Sequence, residues 1–260
     1  MVSVERPQLV TALIDALIED LRQALADNLL GVYPRGSLAL GDFDPEYSDI
    51  DVLVVTRRRA SEDEFEALKS MHDRLRELPN RYAAGLEAAY IDSESVRRFV
   101  PGQRHPTITS HDPFRWERHD SNWVLDRWQT RESGIAWYGP DPRTVIDEIT
   151  DAELREAARL RILEWARWSQ AVPKEDRAWI NERAHQAYVI ETMCRALHAL
   201  SHPGLATKPQ AVAWGLETLP EPWLSLLQRS REWRTQEVDD PATAEETLGF
   251  VKWAASRLQT

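Results

Sequence analysis

VYPRGSLALGDFDPEYSDIDVLVV (residues 32–55) decides the fold, because two apolar runs bracket a turn and a pair of acids. The first run, LLGVY (29–33), is short and β-prone, and Pro34 ends it. PRGS (34–37) then reads as a turn, and SLALGDF after it could begin a short helix. The second run, IDVLVVT (50–56), is the clearest strand in the chain. Asp49 and Asp51 are two residues apart at its polar end, so both carboxylates point to one face. Two carboxylates held that close repel unless a cation lies between them. A hard divalent ion such as Mg2+, which takes oxygen ligands and substrate phosphates, is the usual solution. Gly36 permits close backbone approach, and backbone N–H groups beside the Ser37 hydroxyl make an anion site. An anion site next to a carboxylate pair describes a place for a metal–nucleotide complex.

Outward from this stretch, residues 7–28 show apolar positions at helical spacing after Pro7. SEDEFEALKSMHDRLREL (61–78) opens on a Ser cap with acids in its first turn, a helix start. LEAAYID (86–92) is a third strand; if it pairs beside the second, Glu87 joins the same face as the two aspartates. Residues 101–121, rich in Pro, His and Asp, read as a loop. WVLDRWQTRES reads as a helix, and GIAWYGPDP as a strand followed by a turn. Beyond Asp151 the pattern is helical throughout, over 151–171, 174–201, 208–218, 220–235 and 241–258, punctuated by prolines. The expected fold class is α/β plus all-α. An N-terminal domain (residues 1–150) would carry a mixed sheet flanked by helices, and a C-terminal domain (151–260) a helical bundle.

The 260 residues carry 32 basic and 43 acidic side chains, a net charge of −11, which disfavours long polyanions and favours small cations. Nucleic acid is therefore not an expected partner. No apolar run approaches membrane length, and no apolar leader is visible, so the reading is a soluble cytoplasmic protein. The single cysteine, Cys194, fits a reducing compartment. Of the eleven tryptophans, Trp165 and Trp168 stand at helical spacing and read as core. His198 and His202 have the i, i+4 spacing of a zinc pair but lack a third ligand. Asp42-x-Asp44-x-Glu46 has calcium-loop spacing, but Tyr47 stands where such a loop needs Gly.

The order Gly36-Ser37, spacer, Asp49-x-Asp51 resembles the nucleotidyltransferase superfamily related to polymerase β. The whole of VYPRGSLALGDFDPEYSDIDVLVV is similar to the N-terminal motif of the aminoglycoside (3″)(9)-type adenylyltransferases, and LEAAYI places Glu87 at that family's third acid. GIAWYGPDPRTVI and ETMCRALHALSHPGLATKPQAVAWGLETLPEPW (191–223) resemble further family segments, so the likeness covers most of the chain.

The resemblance implies an enzyme that moves AMP from ATP to a hydroxyl of an aminoglycoside or aminocyclitol, and so confers antibiotic resistance. Asp49 and Asp51 would hold two Mg2+ ions, with Glu87 as base and possible third ligand. Gly36 and Ser37 would bind the β/γ-phosphates, joined by Arg195 and Lys208, and Trp233 would lie near the adenine. The bland readings are an intrahelical pair of Arg195 with Glu191 and a surface role for Lys208 at a helix start. A cationic substrate would meet acids and aromatics, for which Glu175, Asp176, Trp179, Glu182, His185, Trp116 and Trp123 are the candidates. Where streptomycin enzymes carry an Asp and a His, this chain reads NERAHQAYV, with His185 and Tyr188. One chain is expected to suffice. The alternatives are a nucleotidyltransferase with a protein side chain as acceptor, and a non-catalytic, antitoxin-like nucleotide-binding module.

Overall fold

The computed structural model describes residues 7–110 and 112–259; the side chain of Glu175 lies outside the described residues. The chain divides into two units, Met1–Glu148 and Ile149–Thr260.

The first unit is built on a five-stranded mixed sheet in the order β1-β2-β3-β4-β5. The strands are β1 (Leu29–Pro34), β2 (Ile50–Thr56), β3 (Leu86–Asp92), β4 (Arg104–Ile108) and β5 (Arg115–Arg118). β2 and β3 are parallel and the other neighbours antiparallel. β2 and β3 read as near-continuous apolar runs because both of their faces are covered. Residues 101–121 are thus not one loop: they hold the β4–β5 hairpin, in which Pro106 pairs with Trp116. Pro and His inside so short a strand hid its period. GIAWYGPDP likewise contributes no full strand, only a bridge between Val32 and Tyr138.

Helices α1 (Gln8–Leu25) and α3 (Glu62–Arg76) share one apolar layer with Val52, Val54, Leu86, Ala88 and Tyr90. α3 begins at a capping box in which Ser61 and Glu64 satisfy each other's backbone donors. Asp51 and Glu87 leave their strands with the opposite parity, toward the face near α2 (Gly36–Leu40), α4 (Ser93–Arg97) and α5 (Asn122–Ser133). Arg127 of α5 is 2 % exposed and donates to the carbonyls of Ser95, Val96 and Trp123, which ties α5 to α4.

After the short α6 (Pro142–Val145), the second unit is all helical: α7 (Asp151–Gln170), α8 (Lys174–Asn181), α9 (Arg183–Ser201), α10 (Lys208–Thr218), α11 (Trp223–Ser230) and α12 (Pro241–Ser256). Its core gathers Ile162, Val189, Ile190, Met193, Leu226, Phe250 and Val251. The sequence reads 174–201 as one helix, but Glu182 is extended at ψ 129° and divides it. Residues 236–240 cause the break: Arg183 N–H donates to the Val238 carbonyl, and Asp240 N–H to that of Asn181. No helix among the described residues is long and apolar enough to cross a membrane.

Candidate active site

The turn after β1 is shaped for an acid rather than a side chain of its own. Gly36 has φ +58°, and a Cβ there would overlap the Asp51 carboxylate. A Cβ at Gly85 would overlap Asp49 Oδ1 in the same way. Each aspartate therefore sits in a space that only a glycine leaves open. Asp51 lies opposite Glu87 in the β2–β3 register, which puts both carboxylates on one face. Glu87 Oε1 is held by the backbone N–H and the hydroxyl of Ser110.

Arg35, 8 % exposed, enters this group. Its Nη2 is 3.3 Å from Asp51 Oδ1 and 3.6 Å from Glu87 Oε2, and its Nη1 is 3.3 Å from Asp126 Oδ2. Burial pushes the Asp51 carboxyl up to about 6; Arg35 opposes the rise, while Glu87, Asp126 and Asp49 add to it. As arranged, the described residues contain no group of three or more His, Cys, Asp or Glu side chains poised together on a metal. The donors are nonetheless all hard carboxylate oxygens, and the two glycine-lined spaces border them, which suits Mg2+.

α5 contributes residues that the sequence reading passed over. Gln129 Oε1 accepts from Gly36 N–H at 3.0 Å, and Thr130 donates to the Pro34 carbonyl at 3.2 Å. With Asp126, these polar residues recur at i, i+3 and i+4, a one-face spacing that could have marked them. Ser37 is the second residue of α2, and its carbonyl accepts from Asp42 N–H.

Two of the proposed substrate tryptophans pack against neighbouring rings. Trp123 is 7 % exposed on α5, stacked on His119 at 3.6 Å, with the Arg35 guanidinium 5.0 Å from its ring. Trp116 stacks on Phe65 of α3, on the sheet face opposite Asp51 and Glu87, because it pairs with Pro106 in phase with Ile108.

In the helical unit, Trp165, Trp168, Trp179 and Tyr188 form an aromatic group with ring centroids 5.1–6.4 Å apart. His185 stacks on Trp179 at 4.5 Å and lies 3.8 Å from Glu182, and Asp176 accepts from Trp168 Nε1–H at 2.7 Å. The buried Trp165 Nε1–H has no hydrogen-bond partner among the described residues. Lys208, first residue of α10, lies 3.8 Å from Glu191 and 5.3 Å from the Tyr188 ring. Glu191 pairs with Arg234 as well, while Arg195 Nε–H donates to the Ala206 carbonyl. Trp233 is 4 % exposed in the helical core, beside Arg183 and Arg229, so packing rather than an open face occupies its ring.

Residues 14–100 match the family described as nucleotidyltransferase domain, and residues 144–256 match that described as aminoglycoside adenylyltransferase, C-terminal domain. No curated protein matches the sequence. Among solved structures, the fold is similar to that of spectinomycin adenyltransferase AAD(9) from Enterococcus faecialis, solved with ATP and spectinomycin. That likeness has a TM-score of 0.74 at 16% identity and covers 95% of this chain and 99% of the other.

Proposed function

The chain belongs to the aminoglycoside adenylyltransferase family of the nucleotidyltransferase superfamily, and from that premise we propose that it transfers AMP from ATP to a hydroxyl of an aminoglycoside or aminocyclitol. The observation that carries this reading is the pairing of Asp51 with Glu87 beside Gly36, which gathers acid and anion-binding chemistry in one place.

Asp49 and Asp51 would hold Mg2+, which when bound neutralises phosphate charge and stabilises the leaving pyrophosphate. Glu87, fixed by Ser110, takes the proton from the acceptor hydroxyl as its oxygen attacks the α-phosphorus and the bond to the bridging oxygen breaks. Gly36 N–H and the Ser37 hydroxyl face the departing phosphates, with Gln129 releasing the N–H it now accepts. Arg195 and Lys208 would lend positive charge to nucleotide binding. The aromatic group around Trp179 offers flat faces to sugar rings and ammonium groups. Glu182, Asp176 and His185 supply acceptors, and the Trp165 Nε1–H supplies a spare donor. The net charge of −11 draws a polycation toward the protein. The reaction belongs in the cytoplasm, where it would inactivate an antibiotic before it reaches its target.

Incubation with ATP, Mg2+ and a panel of aminoglycosides and aminocyclitols, with mass spectrometry of the products, tests this. The expected result is one AMP added to at least one compound, lost in Glu87→Gln while ATP binding persists. ATP binding with no turnover on any acceptor would sink it.

A further inference from the structure

The group of charges around Arg35 contains more than the expected acids account for. Asp49, Asp51 and Glu87 belong to the proposed metal and base functions; Arg35 and Asp126 do not. Arg35 is nearly buried and cannot give up its proton, so its charge is permanent. Its guanidinium stands 3.3 Å from one oxygen of Asp51, a proposed metal ligand, and 3.6 Å from one oxygen of Glu87, the proposed base. A cation cannot enter beside that charge without displacing it. The other end of the same fork is already bonded to Asp126 at 3.3 Å, and the Trp123 ring lies 5.0 Å from its carbon. A guanidinium with one nitrogen on Asp126 and an aromatic face beside it can give up its contacts to Asp51 and Glu87 without losing every partner.

We propose that Arg35 is a resident counter-ion of the metal site, occupying the space between Asp51 and Glu87 until the metal–nucleotide complex arrives, and that Asp126 is the carboxylate that retains it afterwards. The inference rests on the metal role assigned to the aspartates above. It has two consequences. Asp51, Glu87 and Asp126 stay together without metal, since one fixed positive charge offsets their repulsion. Metal alone binds weakly, because it must compete with Arg35. With ATP the phosphates add ligands for the metal, and the two bind together.

Mn2+ serves as the probe, with free ion counted by electron paramagnetic resonance, in the presence and absence of a non-hydrolysable ATP analogue. Without nucleotide, Arg35→Gln should bind Mn2+ at least about tenfold more tightly than the wild type, because a like charge close to the ion is gone. Arg35→Met, which keeps the apolar stem, should do the same if the Gln variant folds poorly. Asp126→Asn should weaken binding about threefold or more, since Arg35 then has less reason to leave. Circular dichroism confirms that each variant is folded. Unchanged or weaker Mn2+ binding in a folded Arg35 variant overturns the proposal, because a merely structural arginine gives that result. If the wild type binds no more Mn2+ than Asp51→Asn even with the analogue, the metal role itself fails, an outcome separate from the behaviour of Arg35.

Discussion

Glu87 Oε1 accepts two hydrogen bonds from Ser110, from its backbone N–H at 3.0 Å and from its hydroxyl at 2.9 Å. The other oxygen faces Arg35. The carboxylate proposed as base is thereby held at both oxygens, by Ser110 at one and by Arg35 at the other. Ser110→Ala removes the hydroxyl and leaves the N–H. We expect kcat to fall about tenfold as the base loses orientation, with KM for ATP little changed. Steady-state kinetics with ATP and acceptor varied in turn separate the two parameters. A rise in KM for ATP at constant kcat would contradict a role confined to the base.

Gly36→Ala should act on Asp51. The added Cβ would overlap the Asp51 carboxylate, and at φ +58° an alanine is strained before any contact is counted. The cost to stability is about 1–3 kcal/mol, small beside a displacement of the acid. We expect transfer to fall by about two orders of magnitude while the protein remains folded. Activity assays beside a thermal melt check both halves. Near-normal turnover would show that Asp51 is free to move without consequence.

Much of this site was legible because it lies in strands whose two faces are buried. IDVLVVT and LEAAYID announce themselves as apolar runs, and the acids interrupting them stand out. Their register, which sets Asp51 opposite Glu87, is a tertiary fact that the sequence poses only as a condition. Arg35 read as one residue of a turn, since nothing local tells that acids from β2, β3 and α5 converge on it. The break at Glu182 was hidden for the same reason: its cause lies more than fifty residues away, at Val238 and Asp240. In the sequence Trp123 and Trp233 look ligand-facing, because an aromatic in a plausible place looks alike whether it meets substrate or core; both are buried.

Glu191 tests the helical unit. Its side chain is 6% exposed and pairs with both Arg234 and Lys208, so one buried carboxylate positions two cations. Glu191→Gln keeps the shape and removes the charge. The freed arginine reaches water, which limits the stability loss to about 1–3 kcal/mol. If Lys208 serves the nucleotide as proposed, KM for ATP should rise about tenfold with kcat changed much less, because that lysine has lost its anchor. Titration of ATP against the variant, followed by calorimetry, is the check. A destabilised variant with wild-type ATP affinity would reduce Glu191 to a structural role.

Acid should unfold the first unit through its histidines. His72, His105 and His119 are at most 2 % exposed. Burial holds His72 down to about 3, helped by Arg76; burial holds His105 to about 4, with Arg127 adding to the effect. His119 falls to about 2, chiefly by burial and then by His105, Arg127 and Arg35. His72 Nε2 lies 2.6 Å from the Tyr90 hydroxyl, and His119 Nε2 lies 3.1 Å from Thr107 Oγ1, partners that suit neutral rings. Each folded value is below the ordinary 6.5, so between pH 6.5 and about 4 the unfolded chain binds protons that the native chain refuses. Stability is fully present above 6.5 and declines as pH falls, with a limiting slope of about 4 kcal/mol per pH unit for three protons. Urea melts followed by circular dichroism at pH 7.5, 6 and 5 should show midpoints dropping steadily. His72→Phe should reduce the slope by about one proton's worth, about 1.4 kcal/mol per pH unit, whatever it does to stability at neutral pH. A midpoint that stays level from pH 7.5 to 5 would mean that these rings take up protons in the folded protein.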